Sequence, residues 1–511
     1  IAQSTIFGWM LSGPTGITER NPSSSLYHCL VENKVDDLLQ QFWVQEEIPK
    51  VNEPIISPED QMCENHYLST FSRVPSGRYQ VRLPVKESIT QLGESQSSAH
   101  RMLQKLQIRL SSDLTYSNMY TNFINEYKSL GHMTQVTRDT DSTIPIYYLP
   151  HQGVLRPSST TTKLRVVFNA SFPTSSGLSL NDILYSGPKL QTELPDILTW
   201  FRRFKYVFAT DIEKMYRQIL VHPSDRDFQR ILWLDNDCLQ KYQLNTVTYG
   251  LSCAPFLALR TMNQLITDHG DMYPLASETL SKGRYMDDIF GGADSVEACQ
   301  EVVKQTDELC KLGCFPLQKW ISNDPMVLSD ISSSNHDKNS LLLINDSSSL
   351  RTLGLTWNRS SDDFQFFPAQ EPIDKCTKRN VLSKIAQLFD PLGFISPIIV
   401  KYKVFMQQLW LLKINWDDLL PSNLQDQWKC FETDLHDLPL IKVPRYLGLN
   451  QRSSVEIHGF SDASKLAMSA VVYLRIMNQG AVNVSLVLSK TKVAPLKTMS
   501  IDLNSLQLYY L

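Results

Sequence analysis

The chain has 511 residues, too many for one ordinary core; at roughly 100–200 residues per domain, three or four are expected. Apolar residues make up 42% and charged residues 20%, the balance of a globular protein. No signal or transit peptide is expected, and no uninterrupted apolar run reaches the ~20 residues that a membrane span needs. Net charge is −4, which argues against a uniformly basic nucleic-acid binder. Nine cysteines without a CxxC pattern argue against a disulfide framework or a zinc site. Reduced cysteines in an intracellular protein, cytoplasmic or nuclear and not secreted, are the expectation.

Residues 1–16 contain Phe7-Gly8-Trp9 and Ser12-Gly13-Pro14, a strand and turn that read as part of something larger. Residues 17–95 are polar and rich in Pro and Ser, a linker with some docking elements. Met102, Leu103, Leu106 and Leu110 recur at helical spacing over 99–110, and 116–130 reads as a second helix. Strands are expected at 144–150 and 164–168, which are β-branched and aromatic. Residues 195–204 read as a helix with Pro195 in its first turn. The run 206–209 is a buried strand ending at Asp211, 231–234 and 242–244 a strand pair, and 254–269 and 294–312 helices. The apolar stretch 382–412 is broken by Lys384, Asp390, Lys401 and Lys403 and reads as buried helices. Strands alternating with helices, with runs of strands between, indicate an α+β fold.

Charge is uneven. From 151 to 220 nine Lys and Arg stand against five Asp and Glu, a local basic face that suits a polyanion or is an ordinary solvated surface.

Tyr285-Met286-Asp287-Asp288, followed by Gly291-Gly292, sets two adjacent carboxylates on a predicted hairpin. Like charges this close repel unless one is protonated or a cation neutralises them. Two-metal phosphoryl transfer uses such carboxylates to bind a pair of divalent ions. Asp211, at the end of its own apolar strand, completes the set if the two elements are neighbours in one sheet. Alone, Asp211 is equally a cap or turn residue.

The surrounding motifs carry a family resemblance. Residues 209–219, with Asp211 and Tyr216, resemble the first catalytic motif of reverse transcriptases. Residues 246–256, with Tyr249-Gly250, resemble the second, and Tyr285-Met286-Asp287-Asp288 the third. More specifically, the chain resembles the Pol polyprotein of BEL/Pao-type LTR retrotransposons. The resemblance rests on Lys163-Leu164-Arg165-Val166-Val167-Phe168-Asn169-Ala170-Ser171, Leu180-Asn181-Asp182-Ile183-Leu184 with Gly187-Pro188, Ile289-Phe290-Gly291-Gly292, Lys319-Trp320-Ile321-Ser322-Asn323 and Leu353-Gly354-Leu355-Thr356-Trp357.

The resemblance implies an RNA-directed DNA polymerase with a right-hand fold of fingers, palm and thumb. It implies Asp211, Asp287 and Asp288 as catalytic, metal-binding carboxylates for two Mg²⁺ ions, with Mn²⁺ as a substitute. Lys163 and Arg165 would grip the triphosphate, or are exposed strand charges. Tyr216 would wall off the 2′-position of the incoming nucleotide, or is aromatic core. Gly250 would let the backbone approach the nucleotide, with Tyr249 stacking nearby. Lys319 would approach the pyrophosphate, and Leu353-Gly354-Leu355 would position the primer end. The implied partners are an RNA or DNA template-primer, deoxynucleoside triphosphates and remaining Pol segments, with no membrane.

Five regions follow: 1–16, a remnant of a retropepsin-like protease; 17–95, the linker; 96–360, fingers and palm; 361–450, thumb and helical connection; and 451–511, a truncated RNase H-like sheet. No Asp-Ser/Thr-Gly occurs, so protease activity is not expected. Residues 375–416 resemble the segment catalogued as a Pao peptidase region, but show no nucleophile or acid pair, so a packing role is expected. Asp462 resembles the first metal ligand of an RNase H-like site, while Ser505 stands where the family places a Glu, so ribonuclease activity is not expected. The alternative reading is a decayed or co-opted fragment that binds nucleic acid or protein without catalysis.

Overall fold

A computed structural model describes residues 2–5, 8–11, 29–30, 57–137, 145–155, 163–235, 238–332, 335–336, 341–344, 355–367, 375–386, 388–450, 452–478 and 480–494. Helices and strands are mixed throughout, as the α+β reading expects. No helix among these residues is long and apolar enough to cross a membrane.

The organising element is a four-stranded antiparallel sheet in the order Arg284–Tyr285, Asp288–Ala293, Tyr206–Ile212, Leu317–Ser322. Its strand Tyr206–Ile212 is apolar on both faces because each face meets a different core. Phe208 and Ile212 join a large core built from residues of the first two thirds of the chain. Val207 and Ala209 join a second core with Phe201, Phe290, Trp357 and Phe405. Side chains alternate along a strand, so Asp211 shares the face of Val207 and Ala209.

Helices Ala254–His269 and Val296–Leu312 contribute Leu257, Met262, Leu265, Val303 and Leu309 to the first core. Residues 57–95, placed in the linker with docking elements by composition, hold the helix Pro58–Thr70 and the strand Tyr79–Val81. Tyr67, Tyr79 and Val81 are buried in the first core, and Gln80–Val81 pairs in parallel with Leu220–Val221. Of the strand expected at 144–150, the described residues 145–150 form none; the strand is His151–Leu155, paired with Leu164–Phe168. Pro145 and Pro150 lack the amide donors a ladder needs, and Tyr148 makes only an isolated bridge to Arg230.

The stretch 382–412 forms helices Lys378–Ile385 and Ser396–Leu411. Asp390 accepts the amides of Phe394 (2.8 Å) and Ile395 (2.7 Å), which holds the loop entering the second helix. That loop docks on the C-terminal sheet, with Ser489 N–H donating to Leu392 O at 2.8 Å. The C-terminal sheet is an antiparallel meander of Ser454–Ala463, Ala467–Asn478 and Ala481–Val493.

Two buried arginines tie this part of the chain to the helix Leu194–Arg202, which leads into the Asp211 strand. Arg445 is fully buried and paired bidentately with Asp362 at 2.6 and 2.7 Å. It also donates to the carbonyls of Phe201 and Phe204, both at 2.7 Å, and so closes the helix C-terminus. Arg202 donates to Arg445 O at 3.1 Å, Val487 O at 2.8 Å and Pro444 O at 3.3 Å. Burial, then the neighbouring Arg445, pushes its pKa down to about 9.

Candidate active site

The strand register sets Asp288 directly opposite Asp211. Paired residues on antiparallel strands project to the same face, with Cβ atoms ~5 Å apart. Asp287 sits in the two-residue turn between Tyr285 and Asp288, which pair with each other. Met286 takes the left-handed backbone there, φ 53°, which costs a side-chain-bearing residue on the order of 1–2 kcal/mol. Two contacts hold it: Met286 N–H donates to Gln191 Oε1 at 3.0 Å, and Asp287 O accepts the amide of Ile212 at 2.8 Å. The second bond locks the hairpin tip to the end of the Asp211 strand.

Burial raises the pKa of all three carboxyls. Asp288 is pushed well above the ordinary carboxylate range by burial and then by the charges of Asp287 and Asp211. Asp287 is raised by burial against the opposing pull of its own amide, Lys319 and Arg165. Asp211 is raised by burial, opposed by a hydrogen bond from Lys319. Burial alone would depress the Lys319 ammonium, but Asp211, Asp288 and Asp287 hold its pKa up.

Lys319 reaches Asp211 through a bulge. Gln318 pairs with Asp211 and Ile321 with Ala209, so Lys319 and Trp320 together oppose Thr210. Such a bulge re-aims a side chain, and Lys319 has φ 56°. Its Nζ donates to Asp211 Oδ2, while Trp320 is buried against Phe208, ring centroids 5.5 Å apart.

Arg165 and Tyr216 complete the surroundings. The Tyr216 hydroxyl is pushed up to about 12 by burial and then Asp287, with Arg165 opposing. The Arg165 guanidinium lies 5.5 Å from the Tyr249 ring centroid, and Tyr249 OH donates to Val166 O at 2.5 Å. Gly250 has φ +105°, and a Cβ there would stand 2.2 Å from Phe168 O, so only glycine fits both the conformation and the space.

Sequence reasoning assigned no role to Asn181 or Gln191. The Asn181 side chain donates to Gly250 O at 3.0 Å and accepts from Ser252 N–H at 2.9 Å, bracketing the Gly250 loop. Its signal was its place in Leu180-Asn181-Asp182; Gln191 carried none.

Other expected site residues are not gathered here. Lys163 is exposed just before the strand Leu164–Phe168. Leu353 and Gly354 lie outside the described residues, while Leu355 is buried in the second core. Asp462 is exposed on the C-terminal sheet opposite Ser469. Ser505 lies outside the described residues.

Among the described residues, no three His, Cys, Asp or Glu converge tightly enough to form a ready-made metal cage. The donor chemistry of the three aspartates nonetheless fits a hard divalent cation, which takes carboxylate oxygens. Burial is the first cause of their raised pKa values, so ionising all three together calls for more cationic charge than the single Lys319 ammonium supplies.

Residues 377–508 match the family profile described as Pao retrotransposon-like RNaseH-like domain. The match spans both the helical stretch and the C-terminal sheet, and it bears out the resemblance to Pao/BEL-type Pol polyprotein. No protein among the curated sequences matches the chain. Solved structures that are similar include a foamy viral protease-reverse transcriptase in complex with double-stranded DNA. It shares 13% identity at a TM-score of 0.47, over 75% of this chain and 56% of that one. The chain thus spans little more than half the length of that protein.

Proposed function

We propose that this chain is an RNA-directed DNA polymerase of a retrotransposon, adding deoxynucleotides to a primer 3′-end on an RNA or DNA template. The observation that carries the reading is the register of Asp288 against Asp211, with Asp287 bonded through its carbonyl to the same strand end. In this reading residues 96–360 are fingers and palm, 361–450 thumb and connection, and 451–511 an RNase H-like sheet. The four-stranded sheet is the palm. Residues 1–16 are the protease remnant and 17–95 a linker with docking elements, among them the core-packed helix Pro58–Thr70 and strand Tyr79–Val81.

Asp211, Asp287 and Asp288 would hold Mg²⁺, or Mn²⁺ in its place, which supplies charge neutralisation at the phosphate and a more acidic primer hydroxyl. Arg165 faces this acidic cluster and binds the triphosphate of the incoming nucleotide as a fixed, planar cation. Lys163 adds charge at the entrance to the same strand. Tyr216 stands beside Asp287 and leaves no room for a ribose 2′-hydroxyl. Gly250, kept in place by Asn181, lets the backbone come close to the base pair, and Tyr249 lies next to it. Lys319 holds a proton at Nζ near the departing pyrophosphate. Leu353, Gly354 and Leu355 position the primer end. The protein acts inside the cell, in cytoplasm or nucleus, with template-primer, deoxynucleotides and other Pol segments as partners and no membrane.

A second reading, a binding module without catalysis, draws on two observations: among the described residues the three carboxylates do not form a closed cage, and Lys319 holds Asp211. Primer extension on an RNA template with Mg²⁺ or Mn²⁺ separates the two. Incorporation that vanishes in Asp287→Asn supports the polymerase. A folded, template-binding protein that incorporates nothing selects the binding module.

A further inference from the structure

The bulge at Lys319 lets Leu317 and Trp320 both reach the first core while Ile321 reaches the second, and it sets Lys319 apart from both. A regular strand would place one residue opposite Thr210 and continue the alternation. Instead two residues face Thr210, and Lys319 takes a left-handed backbone, φ 56°, that lysine adopts only at a cost. For Lys319 the consequence is electrostatic: the ammonium is delivered to Asp211 Oδ2, inside the field of Asp287 and Asp288.

We propose that Lys319 is a built-in counter-ion that occupies Asp211 until a divalent cation displaces it, and that it thereby sets the metal affinity of the site. The proposal rests on the polymerase reading, which makes Asp211 a metal ligand. The exposure of the two partners gives the exchange a direction. The Lys319 side chain is 42% exposed and that of Asp211 only 17%. The ammonium can therefore swing into water on its flexible stem, whereas the carboxylate is fixed at its strand end. Without the lysine, three clustered carboxylates would repel one another in the metal-free protein. With it, the site stays folded while empty, and each binding event must first break an ion pair.

A structural role and a counter-ion role predict opposite results. A residue that only shapes the site weakens metal binding when it is removed; a competing cation strengthens it. The test titrates the full chain with Mn²⁺ alone, without nucleotide or template, and reads free Mn²⁺ by electron paramagnetic resonance. Lys319→Met keeps most of the aliphatic stem and loses the charge. It should bind Mn²⁺ on the order of tenfold or more tightly than the wild type, the scale of removing a like charge from a partly buried site. Lys319→Arg, which keeps the charge, should bind like the wild type. Melting in parallel should show Lys319→Met less stable than the wild type without metal, and at least as stable with saturating Mn²⁺.

Equal or weaker Mn²⁺ binding by a folded Lys319→Met protein overturns the proposal while leaving the metal site in place. Wild-type binding that Asp288→Asn leaves unchanged overturns the metal site itself, and the proposal with it. If Lys319→Met does not fold, Lys319→Gln is read by the same criteria.

Discussion

Replacing Asp288 by Asn should make the metal-free protein more stable while abolishing nucleotide incorporation. Asp288 and Asp211 oppose each other in register, which puts their Cβ atoms ~5 Å apart. Two unit charges at that spacing repel by about 3 kcal/mol at an effective dielectric of 20. The Lys319 ammonium on Asp211 offsets part of this, and a gain of about 1–2 kcal/mol remains, a rise of about 2–8 °C in melting midpoint for a domain of 150–250 residues. The sign depends on pH. The native pKa of Asp288 is raised, so its contribution is fully present below the unfolded value of about 4 and is lost as pH rises through the native value. The Asn variant never ionises and escapes that loss. Its advantage should be near zero at about pH 4 and grow toward neutral pH. Differential scanning calorimetry in chelator-treated buffer measures it, with primer extension on the same samples. A variant less stable than the wild type at neutral pH, or a gain that does not change with pH, would refute the electrostatic account.

Gly250→Ala should lose incorporation and about 1–3 kcal/mol of stability, because its φ of +105° and the Phe168 carbonyl 2.2 Å from a new Cβ leave no room; chemical denaturation and primer extension measure the two effects. Arg445→Met breaks a buried pair with Asp362 and the cap on Phe201 and Phe204, and urea melts should show about 3–5 kcal/mol lost. Tyr216→Ala should raise the ratio of ribonucleotide to deoxynucleotide incorporation in steady-state single-nucleotide assays, with an unchanged ratio assigning the ring to packing alone. Template-primer affinity, read by fluorescence anisotropy, should fall linearly on a log–log plot against salt, and Arg165→Ala should leave that slope unchanged if its contact is with the nucleotide rather than the template.

Much of the acidic site was legible because its chemistry is local. A hydrophobic run ending in Asp211 and a hairpin carrying Asp287 and Asp288 are patterns of adjacent residues. The sequence left open whether the two were neighbours, since pairing across the sheet depends on register, which no local pattern shows. The Lys319 contact was hidden for a sharper reason: a bulge is one extra residue against a partner strand, invisible without that partner. Residues 145–150 misled because β-branched and aromatic residues suggest a strand while two prolines remove its donors. In 57–95, polar composition masked Tyr67, Tyr79 and Val81, which reach the first core. Nothing near Arg202 or Arg445 in sequence announces a buried cation, because their partners, backbone carbonyls and the Asp362 carboxylate, come from distant segments.

Those two arginines also bear on how the chain is made. Arg445 caps a helix 241 residues earlier at Phe204, and Arg202 waits for Val487, 285 residues later. At a synthesis rate of ~5–20 residues per second, the helix and the aspartate strand behind it leave the ribosome roughly 12–60 s before their anchors exist. Over that interval the nascent chain carries an uncapped helix end and a guanidinium with no fixed acceptors. The Asp211 strand can meet its sheet partners by residue 322, whereas the helix leading into it stays without its fixed C-terminal cap until residue 445 has been made.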